Sequence, residues 1–124
     1  DSTAMFGDRQ VEWFKNEALN TDAYVLIMTH VPLIKEFPGN DSSVVKNGDT
    51  VREAIEEFIK NGGKFIAYFN GHTHNQAELT DENGRLHVSF KNGGKFAEVV
   101  RINTEKRTIE TVGLGDLINR YYKY

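Results

Sequence analysis

Phe65-Ile66-Ala67-Tyr68-Phe69-Asn70-Gly71-His72-Thr73-His74 is an apolar run that ends in a turn and delivers two histidines two positions apart. An apolar stretch of strand length without polar alternation is the pattern of a strand covered on both faces. An earlier run has the same form: Tyr24-Val25-Leu26-Ile27-Met28 leads into Thr29-His30, and Pro32 then ends regular pairing. Between the two, Thr50-Val51-Arg52-Glu53 has capping-box form, and Val51, Ala54, Ile55, Phe58 and Ile59 recur at helical spacing. Asn61-Gly62-Gly63 then suits a left-handed C-terminal cap. Strand, helix and strand predict a βαβ unit with a right-handed crossover.

Upstream of this unit, Val11, Phe14, Ala18 and Leu19 share one face of a helix expected over 9–19, with Asp8 as its N-cap. The stretch from Lys35 to Gly48, with Pro38, Gly39 and Asn40, reads as a long irregular loop and a candidate lid or substrate wall. Downstream the pattern changes to short alternating strands near 76–80, 86–90, 96–102 and 107–112. They are separated by the hairpin signals Asn83-Gly84, Asn92-Gly93-Gly94 and Asn103 to Lys106. For the tail from Leu117 to Tyr124 the residues leave a terminal helix and a loose end equally open. The fold class expected is mixed α/β: a βαβ unit followed by an antiparallel meander.

At 124 residues, 39% hydrophobic and 27% charged, the chain has the length and composition of one domain with its own apolar core. A formal charge of −3 gives no general attraction for nucleic acid or anionic membrane. The apolar runs are far below the ~20 residues of a membrane-spanning helix, so no membrane partner is expected. Without cysteine, any bound metal must be held by His, carboxylate, amide or water. Asp1-Ser2-Thr3 carries neither an initiator Met nor a leader, and a preceding segment in the gene is expected. No Gly-x-Ser-x-Gly turn is present, and Gly62-Gly63-Lys64 lacks the rest of a P-loop.

Ligands of α/β sheets gather beyond the carboxyl ends of the strands. His30 follows one apolar strand, and His72 and His74 follow the other, so adjacent parallel strands would bring three imidazoles to one edge. Taken singly, each is more readily a turn or core histidine than a ligand. Three of the four histidines at corresponding strand ends tip the balance toward a metal site, whereas His87, inside a hairpin strand, has no such position.

The order Asp1-Ser2-Thr3, then Gln10 with Trp13-Phe14, then Thr29-His30-Val31-Pro32, then Gly71-His72-Thr73-His74-Asn75 resembles the later half of the calcineurin-like metallophosphoesterases, over roughly residues 1–90. The resemblance implies the C-terminal half of an α/β/β/α sandwich, so that residues 1–124 are a partial domain whose N-terminal half is the missing partner. It implies hydrolysis of phosphate mono- or diesters at a dinuclear centre of divalent ions, Mn, Fe, Zn or Ni. His30 and His72 would ligate the second metal and His74 the first. The family's upstream motifs, Asp-x-His, Gly-Asp and Gly-Asn-His, supply the remaining ligands and are absent here. Gly7-Asp8 matches the letters of the second, but it opens a helix. The isolated chain is therefore expected to be inactive, with Asp41 and Asp49 the first acidic residues to test otherwise. The alternative is a non-catalytic metal- or partner-binding module that has kept half of the fold. Few helices are available to cover the two apolar strands, which raises the expectation of self-association.

Overall fold

The computed structural model describes residues 4–39, 43–91 and 94–124. Asp1, Ser2, Thr3, Asn40, Asp41, Ser42, Asn92 and Gly93 lie outside the described residues. A four-stranded sheet and a three-stranded sheet carry the fold. The first contains β1 (Tyr24–Thr29), β2 (Lys64–Asn70), β3 (Ala77–Thr80) and β4 (Leu86–Ser89) in the order β1-β2-β4-β3. β1 runs parallel to β2, and β2 parallel to β4, while β3 and β4 form an antiparallel hairpin. The second sheet is the antiparallel meander of β5 (Ala97–Asn103), β6 (Thr108–Leu114) and β7 (Arg120–Lys123). The expected meander is thus split: its first hairpin joins the βαβ sheet, and a sheet of its own begins only at β5. The tail left open by the sequence is strand β7, whose tyrosines pair along β6.

Helix α1 (Asp8–Trp13) runs on as one π turn over Phe14–Ala18, and Phe14 and Leu19 lie against the core. Its N-cap is Gly7, and the Gln10 side chain accepts the Gly7 N–H at 2.8 Å. Asp8 is therefore not the cap but the first helical residue, where its charge complements the helix dipole. Helix α2 (Gly48–Lys60) starts two residues before Thr50. The Asn47 side chain there joins the two N-terminal approaches by bonding the backbone N–H and C=O of Phe6, each at 2.9 Å. At the other end Gly62 adopts φ +92°, and the N–H groups of Gly63 and Gly62 reach the carbonyls of Phe58 and Ile59 at 2.8 and 3.0 Å. This is a full Schellman closure.

A bulge sets which side chains face which layer. Three steps of β2, Phe65 to Tyr68, stand opposite two of β1, Val25 to Ile27. Phe65 and Tyr68 therefore both point to the helical side, where they pack with Leu33, Val45, Val51 and Ile55. Ile66, Ala67 and Phe69 point the other way, onto Leu86, Val88 and Ile109, with Val100, Ile102 and Tyr122 of the second sheet around them. Both faces of β2 are thereby covered within one chain, in the order helix, sheet, sheet. The reason for expecting self-association, an uncovered sheet face, does not hold, because the C-terminal strands occupy it. What stays open is the outer edge of β1, where Met28 is 73% and Trp13 60% exposed. A groove of about 590 Å³ runs there between β1 and α1.

Candidate functional site

The register fixes where the histidines emerge. Thr29 pairs with Asn70, and Asn70 pairs with Ser89, so β1, β2 and β4 end level with one another. Beyond β1 comes His30 and beyond β2 come Gly71 and His72. The Gly71 N–H donates to the His30 carbonyl at 3.0 Å, which ties the two chain ends together. The His30 and His72 rings then meet edge to face, with centroids 5.3 Å apart and planes at 84°. His30 is exposed and His72 half-buried.

His72 and His74 both adopt left-handed backbone, φ +61° and +56°. For residues with a Cβ this costs roughly 1–2 kcal/mol each, and such strain concentrates at functional sites. His74 is exposed. Asn75 follows it, and its amide lies against Gly39, which adopts φ +73°.

Neighbouring neutral imidazoles are donor chemistry that Zn, Fe, Mn or Ni accepts. Here they do not amount to a ligand shell. Among the described residues, no group of three or more His, Cys, Asp or Glu side chains is placed to hold a metal ion. The structure brings His30 and His72 together but does not gather His74 with them into such a group, and Asp41 lies outside the described residues. Asp49, in the first turn of α2, is engaged by Arg52 at 3.0 Å. The residues present fit one edge of a metal centre and not the whole, so no reaction step is derived through a metal in this chain.

The fourth histidine serves the core. His87 in β4 is 1% exposed, stacks on Tyr68 with centroids 4.3 Å apart and contacts Asp81 at 3.1 Å. Burial pushes its pKa below the ordinary 6.5, outweighing the hydrogen bond to Asp81 that raises it. Asp81 is pushed up by burial, but bonds from the Arg85 and Asn83 backbone and from His87 together hold it below its usual range. A cavity of about 770 Å³ lies on this side between α2 and the β3–β4 turn, lined by Asp49, Glu53, Glu56, Asp81 and Glu82 around Arg52. No histidine lines it. Its carboxylates are largely engaged, Asp81 and Glu82 with Arg52 and Glu56 with Arg85.

Sequence reasoning missed the groups that support the histidine turn. Thr73 Oγ1 and Ser89 Oγ are 2.6 Å apart. The Gln76 side chain exchanges two hydrogen bonds with the Ile118 backbone, at 2.9 and 3.0 Å. Arg120, 5% exposed, donates to the carbonyls of Ala77 and Ser89 and to the Glu98 carboxylate. These partners are 16 to 43 positions apart in sequence, and no local pattern links them.

No family model and no curated protein matches the chain. Among solved structures it is similar to a dimetal phosphatase from Danio rerio, at 17% identity and a TM-score of 0.71, over 96% of this chain and 38% of the phosphatase. At that identity the likeness shows the fold alone, a mixed α/β fold shared with that phosphatase. The chain spans well under half of the phosphatase's length.

Proposed function

We propose that this chain is the later part of a metal-dependent phosphoesterase domain, acting on phosphate mono- or diesters once the remainder of the domain is supplied. The observation that carries the reading is the His30–His72 imidazole pair at the ends of adjoining parallel strands, on a fold similar to that of a dimetal phosphatase. In this reading His30 and His72 ligate one divalent ion and His74 the other. Dinuclear centres of that kind polarise phosphoryl oxygens and activate water, and they need a bridging oxygen ligand that imidazoles cannot provide. The bridging carboxylate then comes from the segment that completes the domain, and the 124 residues alone turn over substrate negligibly.

The incomplete ligand set favours a second reading: a non-catalytic module that binds a metal ion or a partner through the same edge. Assays on aryl phosphate mono- and diesters separate the two, using the chain and its extended gene product with Mn, Zn, Fe or Ni. The phosphoesterase reading expects metal-dependent turnover only in the extended protein, abolished by His72→Ala. An extended protein inactive with every metal and ester supports the module. Turnover by the short chain itself, lost on His72→Ala, would refute the account of the missing ligands.

A further inference from the structure

The turn from Gly71 to Gln76 has neither helix nor strand to support it, yet it holds two residues with a Cβ in left-handed backbone. Thr73 lies between them. Its N–H closes a tight turn onto the Gly71 carbonyl at 2.7 Å, and its hydroxyl meets Ser89 Oγ at 2.6 Å. Ser89 Oγ donates in turn to the Gly71 carbonyl at 3.3 Å. Each hydroxyl has a single proton, so with the Ser89 proton on Gly71, Thr73 is the donor to Ser89. A chain of hydrogen bonds therefore runs from Thr73 through Ser89 to Gly71 and closes the turn on itself.

Ser89 is fully buried, and its position is fixed independently. It pairs with Asn70 on one side and Ala77 on the other, and its carbonyl accepts from Arg120 Nη1 at 3.1 Å. It is thus a rigid post beside a strained turn. No solvent reaches it to replace a lost hydroxyl, so deletion leaves the Thr73 proton and the Gly71 carbonyl without this partner.

We propose that Thr73 and Ser89 are positioning residues, whose hydroxyl pair keeps His72 and His74 left-handed and sets the His72 ring against His30. Its consequence for metal binding rests on the phosphoesterase reading, while its consequence for the turn does not.

The test uses isotope-labelled, metal-free protein: the parent chain, Ser89→Ala, Thr73→Val and Thr73→Ser. Backbone chemical shifts report φ at positions 72 and 74, and the ring-to-ring Overhauser contact reports the His30–His72 pair. Ser89→Ala and Thr73→Val are expected to lose the left-handed shifts and the ring contact, and Thr73→Ser to keep both. Urea midpoints identify any variant that unfolds; Thr73 is only half-buried, so Thr73→Val decides the question if Ser89→Ala does not fold. Left-handed shifts and ring contact unchanged in Thr73→Val overturn the proposal. Zinc titration of the same samples is expected to show affinity about tenfold or more weaker in Ser89→Ala and Thr73→Val, as for other residues that orient metal ligands, with Thr73→Ser restoring it. If His72→Ala binds zinc as the parent does, the metal reading fails, and the metal-free spectra still decide the positioning role.

Discussion

Replacing Arg120 by Met removes the guanidinium that joins the two sheets while keeping an unbranched apolar stem. The guanidinium is 5% exposed and donates to Glu98 Oε2 at 2.8 Å, to Ser89 O at 3.1 Å, and to Ala77 O and Thr111 Oγ1 at 3.3 Å. Glu98 is 2% exposed and its second oxygen has no other partner, so Arg120→Met strands a buried carboxylate. Breaking a buried ion pair from one side costs about 3–5 kcal/mol, a large share of the roughly 5–15 kcal/mol that holds a domain together. Urea unfolding followed by far-ultraviolet circular dichroism gives the loss directly. A double-mutant cycle separates the orphaned charge from lost packing. Adding Glu98→Leu to Arg120→Met should recover at least about 1 kcal/mol, because it removes the stranded carboxylate. A cost below about 1 kcal/mol for Arg120→Met, or strict additivity with Glu98→Leu, would refute the inter-sheet role.

His87 should make stability depend on pH. Its pKa is held below the ordinary 6.5, so the unfolded chain takes up the proton first; stability is full above pH 6.5 and falls as pH drops from there toward the lowered value. Urea midpoints between pH 5 and pH 8 should show a shallower slope in His87→Gln than in the parent, and identical slopes would contradict this. At the C-terminus of α2, Gly62→Ala should cost about 1 kcal/mol through its φ of +92° alone, since nothing stands within 4 Å of the added Cβ. Gly63→Ala should cost more, because its Cβ would fall 2.5 Å from the Phe58 ring; equal thermal shifts would argue against the cap as described. Ile55→Ala, at a fully buried position, should lose about 2–5 kcal/mol, and Met28→Ala under about 0.5 kcal/mol in this chain. If further sequence of the domain covers β1, Met28→Ala should become strongly destabilising in the extended protein, and an unchanged small effect there would count against coverage of that edge.

The βαβ unit was legible because its signals are local: two apolar runs, a capping pattern and a glycine pair, each within a few residues. The level ends of β1 and β2 followed from those runs, and with them the meeting of His30 and His72. The N-cap of α2 was misplaced by three residues, Thr50 for Asn47, because Asn47 is set by a contact with Phe6, 41 positions away. The split of the C-terminal strands into two sheets was not visible, because alternation reports that a strand has a covered face and not which sheet covers it. β7 gave no signal at all. Its tyrosines pair with β6 and its Arg120 is satisfied across four other strands, so its structure is made by tertiary contacts. The fate of His74 was likewise illegible, since spacing places it beside His72 in sequence while two left-handed residues decide where the turn leads.

The most direct test of the metal reading is a zinc titration of the nitrogen-labelled chain, followed through the imidazole nitrogens of all four histidines. The account predicts that His30 and His72 shift together, His74 shifts in the same range of added zinc or at a second step, and His87, buried against Tyr68 and Asp81, stays unchanged. Resonances of His30 and His72 that remain in place at saturating zinc, or that move independently of each other, would contradict it.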